Sequence, residues 1–227
     1  MRSIAIIPAR SGSKGLVDKN IADVCGRPLI DYTIRAALES NCFEHVMVST
    51  DSKKYADIAK KCGVEVPFLR SVETSKDTSD SWDVVREVLG KYEKKFDYVM
   101  LLQPTSPLRT AEDIINAFKL LEKKEVTNVV SVTEVEHPVQ WCFSLENTLS
   151  LKNYAKSPFN QMRRQDLKKH YIENGAIYLV KADRIMEKYY NLYEDNCYAY
   201  IMPRSKSIDI DDKVDLMILE AILKSNI

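Results

Sequence analysis

Short apolar runs alternate with amphipathic ones through most of the chain, and that alternation predicts repeated strand–helix units. The first run, Ile4-Ala5-Ile6-Ile7, is continuous, stops at Pro8 and reads as a strand buried on both faces. A helix is expected over 28–40, with Pro28 in its first turn and Ile30, Ile34, Ala37 and Leu38 on one face. A second strand over 45–50 leads to Asp51, a candidate cap for a helix that runs to Lys61 and is stopped by Gly63. Residues 64–69 allow a third strand, and 81–92 carry Trp82, Val85, Val88 and Leu89 at helical spacing. A further strand is expected over 98–102. Thr110 to Asp113 reads as a capping-box variant that opens a helix with the stripe Ile114, Ile115, Phe118 and Leu121, and 129–135 reads as another strand.

The rhythm breaks over 138–173, which is polar and irregular without linker composition, and so reads as an excursion from the core. Strand character returns at 176–180 and 197–202. A helix over 211–224 is expected to turn Val214, Met217, Ile218, Ala221 and Ile222 inward. There are no internal repeats. The whole is an α/β pattern: one domain over 1–227 with a mostly parallel sheet in three layers. In such folds ligands sit beyond the carboxyl ends of the strands.

Composition narrows the function without defining it. The chain has 227 residues, 45% hydrophobic and 29% charged, with a formal net charge of zero. That suits one soluble domain and gives no basic excess of the kind a general nucleic-acid binder carries. No apolar run is long enough for a membrane span. The five cysteines, Cys25, Cys42, Cys62, Cys142 and Cys197, lack close spacing and read as reduced thiols of a cytoplasmic protein. His45, His137 and His170 are scattered, with neither metal-ligand nor nucleophile spacing.

Two segments carry possible chemistry. The loop 8–20 combines small residues, which let backbone N–H groups approach an anion, with Arg10, Lys14 and Lys19. That suits a triphosphate, although a solvated basic turn accounts for the composition about as well. It is not a Walker A loop, since Lys14 precedes Gly15, and it lacks the dinucleotide glycine pattern. The second is Ser207-Ile208-Asp209-Ile210-Asp211. In an extended segment Asp209 and Asp211 point to the same side, and two carboxylates with phosphate oxygens and water make a magnesium shell. Asp211 could equally cap the last helix. The loop 103–109 could hydrogen-bond a polar ligand or be a proline-rigid turn, Gly175 could supply an unusual backbone angle, and Arg163-Arg164 could fork a carboxylate or be an exposed pair.

Taken in order, four segments resemble the N-acylneuraminate cytidylyltransferases, also called CMP-sialic acid synthetases. They are Ile7-Pro8-Ala9-Arg10-Ser11-Gly12-Ser13-Lys14-Gly15-Leu16 with Lys19-Asn20; Leu101-Leu102-Gln103-Pro104-Thr105-Ser106-Pro107-Leu108-Arg109; Arg164-Gln165 with Tyr171 and Asn174-Gly175-Ala176-Ile177-Tyr178; and Ser207-Ile208-Asp209-Ile210-Asp211. The resemblance covers nearly the whole chain. It implies a Rossmann-like nucleotidyltransferase fold that joins CTP to a nonulosonic (sialic-acid-like) acid and releases pyrophosphate. By position it places CTP on Arg10, Ser13, Lys14, Lys19 and Asn20, with Arg70 and Asp77 on the cytidine side. It places the sugar on Gln103, Arg164, Asn174 and Tyr178, and Mg2+ on Asp209 and Asp211. Arg10, Lys19, Asp209 and Asp211 would then carry catalysis, by positioning and charge neutralisation. It also implies that 138–173 is the extension through which two chains form a homodimer; nucleic acid and membrane are not expected as partners on the composition and apolar run lengths above.

Two departures bear on the sugar and the loop. Val17 stands where the family often has proline, and Glu136-His137 is followed by Pro138-Val139-Gln140-Trp141 without the lysine that members acting on N-acetylneuraminate can carry. N-acetylneuraminic, legionaminic, pseudaminic or another nine-carbon acid therefore remains open. The alternatives are a metal-dependent glycosyltransferase, since Asp209-Ile210-Asp211 is also a D-x-D, an enzyme for the eight-carbon acid Kdo, and a nucleotide-binding module without turnover.

Overall fold

The computed structural model describes residues 1–12, 15–76, 78–92, 94–123, 126–145, 147–187, 190–193 and 196–225. The first apolar run forms β1 (Ser3–Pro8), with the side chains from Ser3 to Ile7 buried. A strand sealed on both faces has no use for polar alternation, hence the continuous run. A small hairpin, β2 (Asp23–Val24) and β3 (Arg27–Pro28), leads into α1 (Leu29–Ser40). There follow β4 (His45–Ser49), α2 (Lys53–Lys61), α3 (Ser81–Lys91), β5 (Tyr98–Leu101), α4 (Ala111–Leu120) and β6 (Asn128–Glu134). The irregular stretch includes the short α5 (Lys152–Ala155) and returns to the sheet as β7 (Tyr171–Lys181). The short α6 (Ala182–Ile185), β8 (Cys197–Ile201) and α7 (Lys213–Ser225) complete the order.

The main sheet is ordered β4-β1-β5-β7-β6-β8. β1 is parallel to β4 and β5, and β6 to β8, whereas β7 is antiparallel to both its neighbours. Five strands thus share one direction, in the α/β architecture expected. Alternate residues of β1 feed two cores. Ala5 and Ile7 pack with Ile30, Ile34, Ala59, Ile114 and Ala117 from α1, α2 and α4. Ile4 and Ile6 pack with Val85, Val88 and Ile185 from α3 and α6. Each valine or isoleucine among them contributes about 1.5–3 kcal/mol of burial. A third cluster, Val24, Leu29, Ile210 and Leu219, fastens α7 beside the hairpin.

Four expectations need correction. Residues 64–69 make only a bridge between Met47 and Glu65 within this stretch. Val64 and Val66 keep the alternating burial of a strand, but Pro67 lacks the N–H that a ladder needs. Ser52, not Asp51, caps α2. Leu38 on α1 is largely exposed. On α7 the inward residue is Leu219, with Leu216 and Leu223 partly buried, while Val214, Met217, Ile218 and Ala221 face solvent. The helix carries two apolar stripes, and periodicity alone does not say which one the hairpin takes. The predicted Thr110–Asp113 capping box is present.

Candidate active site

The carboxyl ends of β1 and β5 open into a cleft of about 570 Å³. Its walls bring together Arg10, Lys19, Asn20, Arg70, Gln103, Asp209 and Asp211 from segments spread over 200 residues of sequence. Ser13, Lys14 and Asp77 lie outside the described residues.

The basic loop is held from behind. Ser11 donates its N–H and hydroxyl to Asp51, at 2.9 and 2.8 Å, so Asp51 anchors the loop instead of capping α2. Asp18, at φ 56°, accepts from the Tyr55 hydroxyl at 3.0 Å and the Lys54 ammonium at 2.7 Å. Those contacts hold a left-handed residue just before Lys19. Asn20 is buried and donates to the Arg10 carbonyl at 3.2 Å. A side chain at Gly15 would place its Cβ 2.9 Å from the Asp211 carbonyl oxygen, so glycine is what lets the loop lie against the acidic segment.

Arg70 stands at the end of the corrected segment. Its guanidinium donates to the Ser49 hydroxyl at 3.2 Å and the Ser49 carbonyl at 2.6 Å. Burial brings its pKa down to about 10, with Asp51 and Glu87 acting the other way, so the group stays cationic at neutral pH. The next turn is gripped by Glu87 of α3, which accepts from the Ser71 N–H and hydroxyl at 2.8 and 2.9 Å, from the Thr74 hydroxyl, and from Lys91 at 2.5 Å. Burial works to raise the Glu87 carboxyl, and these donors outweigh it and bring it to about 2.

The acidic segment behaves as its alternation predicts. Ile210 is buried in the hairpin cluster, which turns Asp209 and Asp211 to the cleft. Asp212 caps α7 instead of Asp211, accepting from the Val214 and Asp215 N–H groups at 2.7 and 3.1 Å. The Asp211 carboxylate is thereby left to a cation, and the Lys19 ammonium lies 3.0 Å from it. Crowding by the surrounding protein holds the Asp209 carboxyl above its ordinary range, and Asp211 adds to this. The Thr105 hydroxyl and Lys19 oppose it. Among the described residues no three His, Cys, Asp or Glu side chains form a closed metal cage. Two carboxylates are the protein donors that suit magnesium when a substrate and water supply the remaining oxygens.

Gln103 reaches the cleft from the turn after β5, and Gly175 makes room for it. Gly175 sits at φ +71°, and a Cβ there would come within 2.5 Å of the Gln103 amide oxygen. Gly175 belongs to an irregularity of β7 between the pairs Val130↔Tyr178 and Val132↔Glu173. Ser131 staples that irregularity by donating to Asn174 Oδ1 at 2.6 Å and accepting from the Ile177 N–H at 2.7 Å.

The other residues expected at the sugar are not in the cleft wall. The buried Asn174 amide donates to Ser207 Oγ at 2.9 Å and Met202 Sδ at 3.3 Å, so it ties β7 to the acidic segment. Tyr178 stacks edge-on against Trp82 at 6.0 Å and donates to Glu173 at 3.1 Å, close enough to Asp209 to feel its charge. Arg164 is exposed on the excursion, beside Glu134 and Pro138. Thr74, Lys76, Ser79, Ser81 and Thr105 do line the cleft and were not singled out from the sequence. The signal for those from Thr74 to Ser81 was a run of Ser, Thr and Lys at a helix start, where Asp80 caps α3 by accepting from the Trp82 N–H at 3.2 Å, while Thr105 lies in the turn after β5.

A profile of the Cytidylyltransferase family matches residues 4–216. The chain is 40% identical to the CMP-N,N'-diacetyllegionaminic acid synthase of Legionella pneumophila, over 100% of this chain and 98% of that protein. It is 31% identical to the pseudaminic acid cytidylyltransferase of Campylobacter jejuni, over 100% and 98%. It is also 40% identical to the N-acylneuraminate cytidylyltransferase of Streptococcus agalactiae serotype III, of whose length it spans about half (52%). A solved CMP:2-keto-3-deoxy-manno-octonic acid synthetase in complex with CTP superposes with a TM-score of 0.73 over 100% of both chains at 17% identity, which is a likeness of fold. With the cationic loop, the facing carboxylates and these relatives together, the chain belongs to the cytidylyltransferase family, as an enzyme of the CMP-sialic acid synthetase type.

Proposed function

We propose that this chain transfers the cytidylyl group of CTP to the anomeric hydroxyl of a nonulosonic acid. The anomeric oxygen forms a bond to the α-phosphorus as its proton is given up to solvent, the bond between the α-phosphorus and its bridging oxygen breaks, and pyrophosphate leaves. The observation that carries the reading is the cleft itself, in which Arg10, Lys19 and Arg70 face the pair Asp209 and Asp211. A glycosyltransferase D-x-D would need no such cationic loop for a free triphosphate, and the two relatives at 40% identity are by name a CMP-N,N'-diacetyllegionaminic acid synthase and an N-acylneuraminate cytidylyltransferase.

The roles follow from position. Arg10 and Lys19 neutralise charge that builds on the departing pyrophosphate, in a site where fixed donors need no reorganisation. Arg70, set deeper, orients the nucleoside side. Gln103 orients the sugar. Asp209 and Asp211 are the residues that would hold Mg2+. When bound, the ion supplies charge neutralisation at the transferring phosphoryl group.

The active form is a homodimer. The excursion exposes Phe143, Leu145, Leu149 and Leu151, while Phe143 stacks on Tyr154 at 4.5 Å. That much apolar surface on one segment calls for a partner face, and a two-fold pairing of like surfaces supplies it. Arg164 then reaches the sugar carboxylate in the neighbouring cleft. No helix of the described residues is long and apolar enough to cross a membrane, and the cytoplasm, where CTP is made, is the proposed setting.

The deciding experiment is pyrophosphate release from each of the four nucleoside triphosphates with a panel of N-acetylneuraminic, N,N'-diacetyllegionaminic, pseudaminic and Kdo acids. Turnover confined to CTP and nine-carbon acids is expected. Release with Kdo alone, or with none of the acids, would overturn the reading.

A further inference from the structure

Arg109 ends the second motif, where an arginine invites a reading as a phosphate or carboxylate ligand. The structure gives it another place. It is 2% exposed, beneath the cleft rather than in its wall. Its guanidinium donates to the Gln103 carbonyl at 3.1 Å, to the Ser106 carbonyl at 3.1 Å, and to the Thr33 hydroxyl of α1 at 3.1 and 3.3 Å. Nε has no hydrogen-bond partner among the described residues, and Asp113 acts on the group only through space. Burial draws its pKa down to about 9. A buried cation served by neutral oxygens costs stability that an apolar side chain of like size would not.

The two carbonyls it grips belong to one turn, and that turn touches both halves of the site. Gln103 and Thr105 face the cleft. The Thr105 carbonyl accepts from the Ile210 N–H at 2.9 Å, between the two metal-side aspartates, and the Thr105 hydroxyl serves Asp209. The Ser106 hydroxyl donates to the Asn174 carbonyl at 3.1 Å, next to the glycine that admits Gln103. Thr33 fastens the far side of the guanidinium to α1, whose own place is set by the core. A planar fork can hold two carbonyls and a hydroxyl at fixed separation, and a point-like ammonium cannot.

We propose that Thr33 and Arg109 form a positioning pair for the transfer reaction. They lock the 103–106 turn so that the sugar-side Gln103 and the metal-side Asp209 are presented in one fixed relation. The assignment of Gln103 to the sugar rests on the function proposed above. The clamp itself rests on the contacts.

The experiment compares Thr33→Val, Thr33→Ser and Arg109→Lys with the unaltered protein. Pyrophosphate release is read with CTP, a nine-carbon acid and a magnesium series, and amide hydrogen exchange is read over 103–110 and 206–211. Thr33→Val is expected to lower kcat about tenfold and to speed exchange in those two segments, with the rest of the sheet unchanged. Thr33→Ser, which keeps the hydroxyl, should return both readouts to within about twofold of wild type. Arg109→Lys should lower kcat about 100-fold. Wild-type kcat and local exchange in Thr33→Val would overturn the proposal, as would equal impairment of the Val and Ser variants. If Arg109→Lys does not fold, the Thr33 pair decides. If the unaltered protein turns over no acid, the proposed function fails while exchange still judges the clamp.

Discussion

The Lys19 ammonium sits 3.0 Å from the Asp211 carboxylate and joins the first loop to a segment 192 residues away. The pair is lopsided: the lysine side chain is 13% exposed and the aspartate 79%. A largely buried lysine beside an open carboxylate leaves that carboxylate accessible from the cleft. Asp209→Asn and Asp211→Asn are each expected to lower kcat by about 100-fold or more and to raise the half-saturating magnesium concentration, with circular dichroism unchanged. Lys19→Ala should lose a similar factor without raising the magnesium requirement. Full turnover by both amide variants at limiting magnesium would remove the metal assignment.

Gly175→Ala tests the sugar side. The substitution puts a Cβ at φ +71° and 2.5 Å from the Gln103 amide oxygen, so Gln103 must move. Backbone strain of about 1–2 kcal/mol is expected in thermal unfolding. The sugar KM should rise about tenfold while the CTP KM stays within about twofold. A CTP KM that rises as much as the sugar KM would contradict the division of the cleft into two sides.

Much of the architecture was legible because one force wrote it. Continuous runs such as 4–7 and 98–102, too short for a helix and each followed closely by proline, read as sealed strands, and the capping box at Thr110 and Asp113 announces its own helix. Asp209 and Asp211 were legible for the same reason: an isoleucine between two aspartates fixes which way each points. Arg109 was not. Nothing local separates an arginine that meets substrate from one that meets carbonyls under the floor, because the oxygens come from a turn and from Thr33, 76 residues earlier. Asn174 was read as a sugar contact for a like reason, since its partners Ser131 and Ser207 are brought to it only by the sheet. The face of α7 was misread because two apolar stripes compete on one helix.

Glu87 predicts a pH signature. Its carboxyl lies near 2 in the folded protein against an ordinary 4.5. A depressed carboxyl contributes stability that is fully present above the unfolded value and is lost as pH falls through the folded one. Glu87→Gln should therefore destabilise by about 1–3 kcal/mol at pH 7 in urea unfolding, and the gap to wild type should shrink between pH 4.5 and pH 2. A gap that stays constant over that window would show that the carboxylate's charge is not what holds the Ser71–Thr74 turn.

Arg164 lies on the exposed excursion, away from the cleft wall of its own chain. Arg164→Ala should raise the sugar KM or lower kcat with CTP binding little changed. Mixed with Asp209→Asn and reassembled, it should regain part of the lost turnover, because one cleft of a mixed pair then holds both intact residues. Mixed dimers that demonstrably form and stay inactive would assign Arg164 to its own chain.

β7 lies between β5 and β6 and runs against both. Its place has a consequence for assembly. The strands β4, β1 and β5 can pair from residues 1–101 alone, but β6 is joined to them only through residues 171–181, and β8 only through β6. The pairing spans the whole excursion, and contacts that distant in sequence form late. The carboxylates at 209 and 211 arrive later still. The cationic wall of the cleft is thus synthesised well before the acidic wall that completes it.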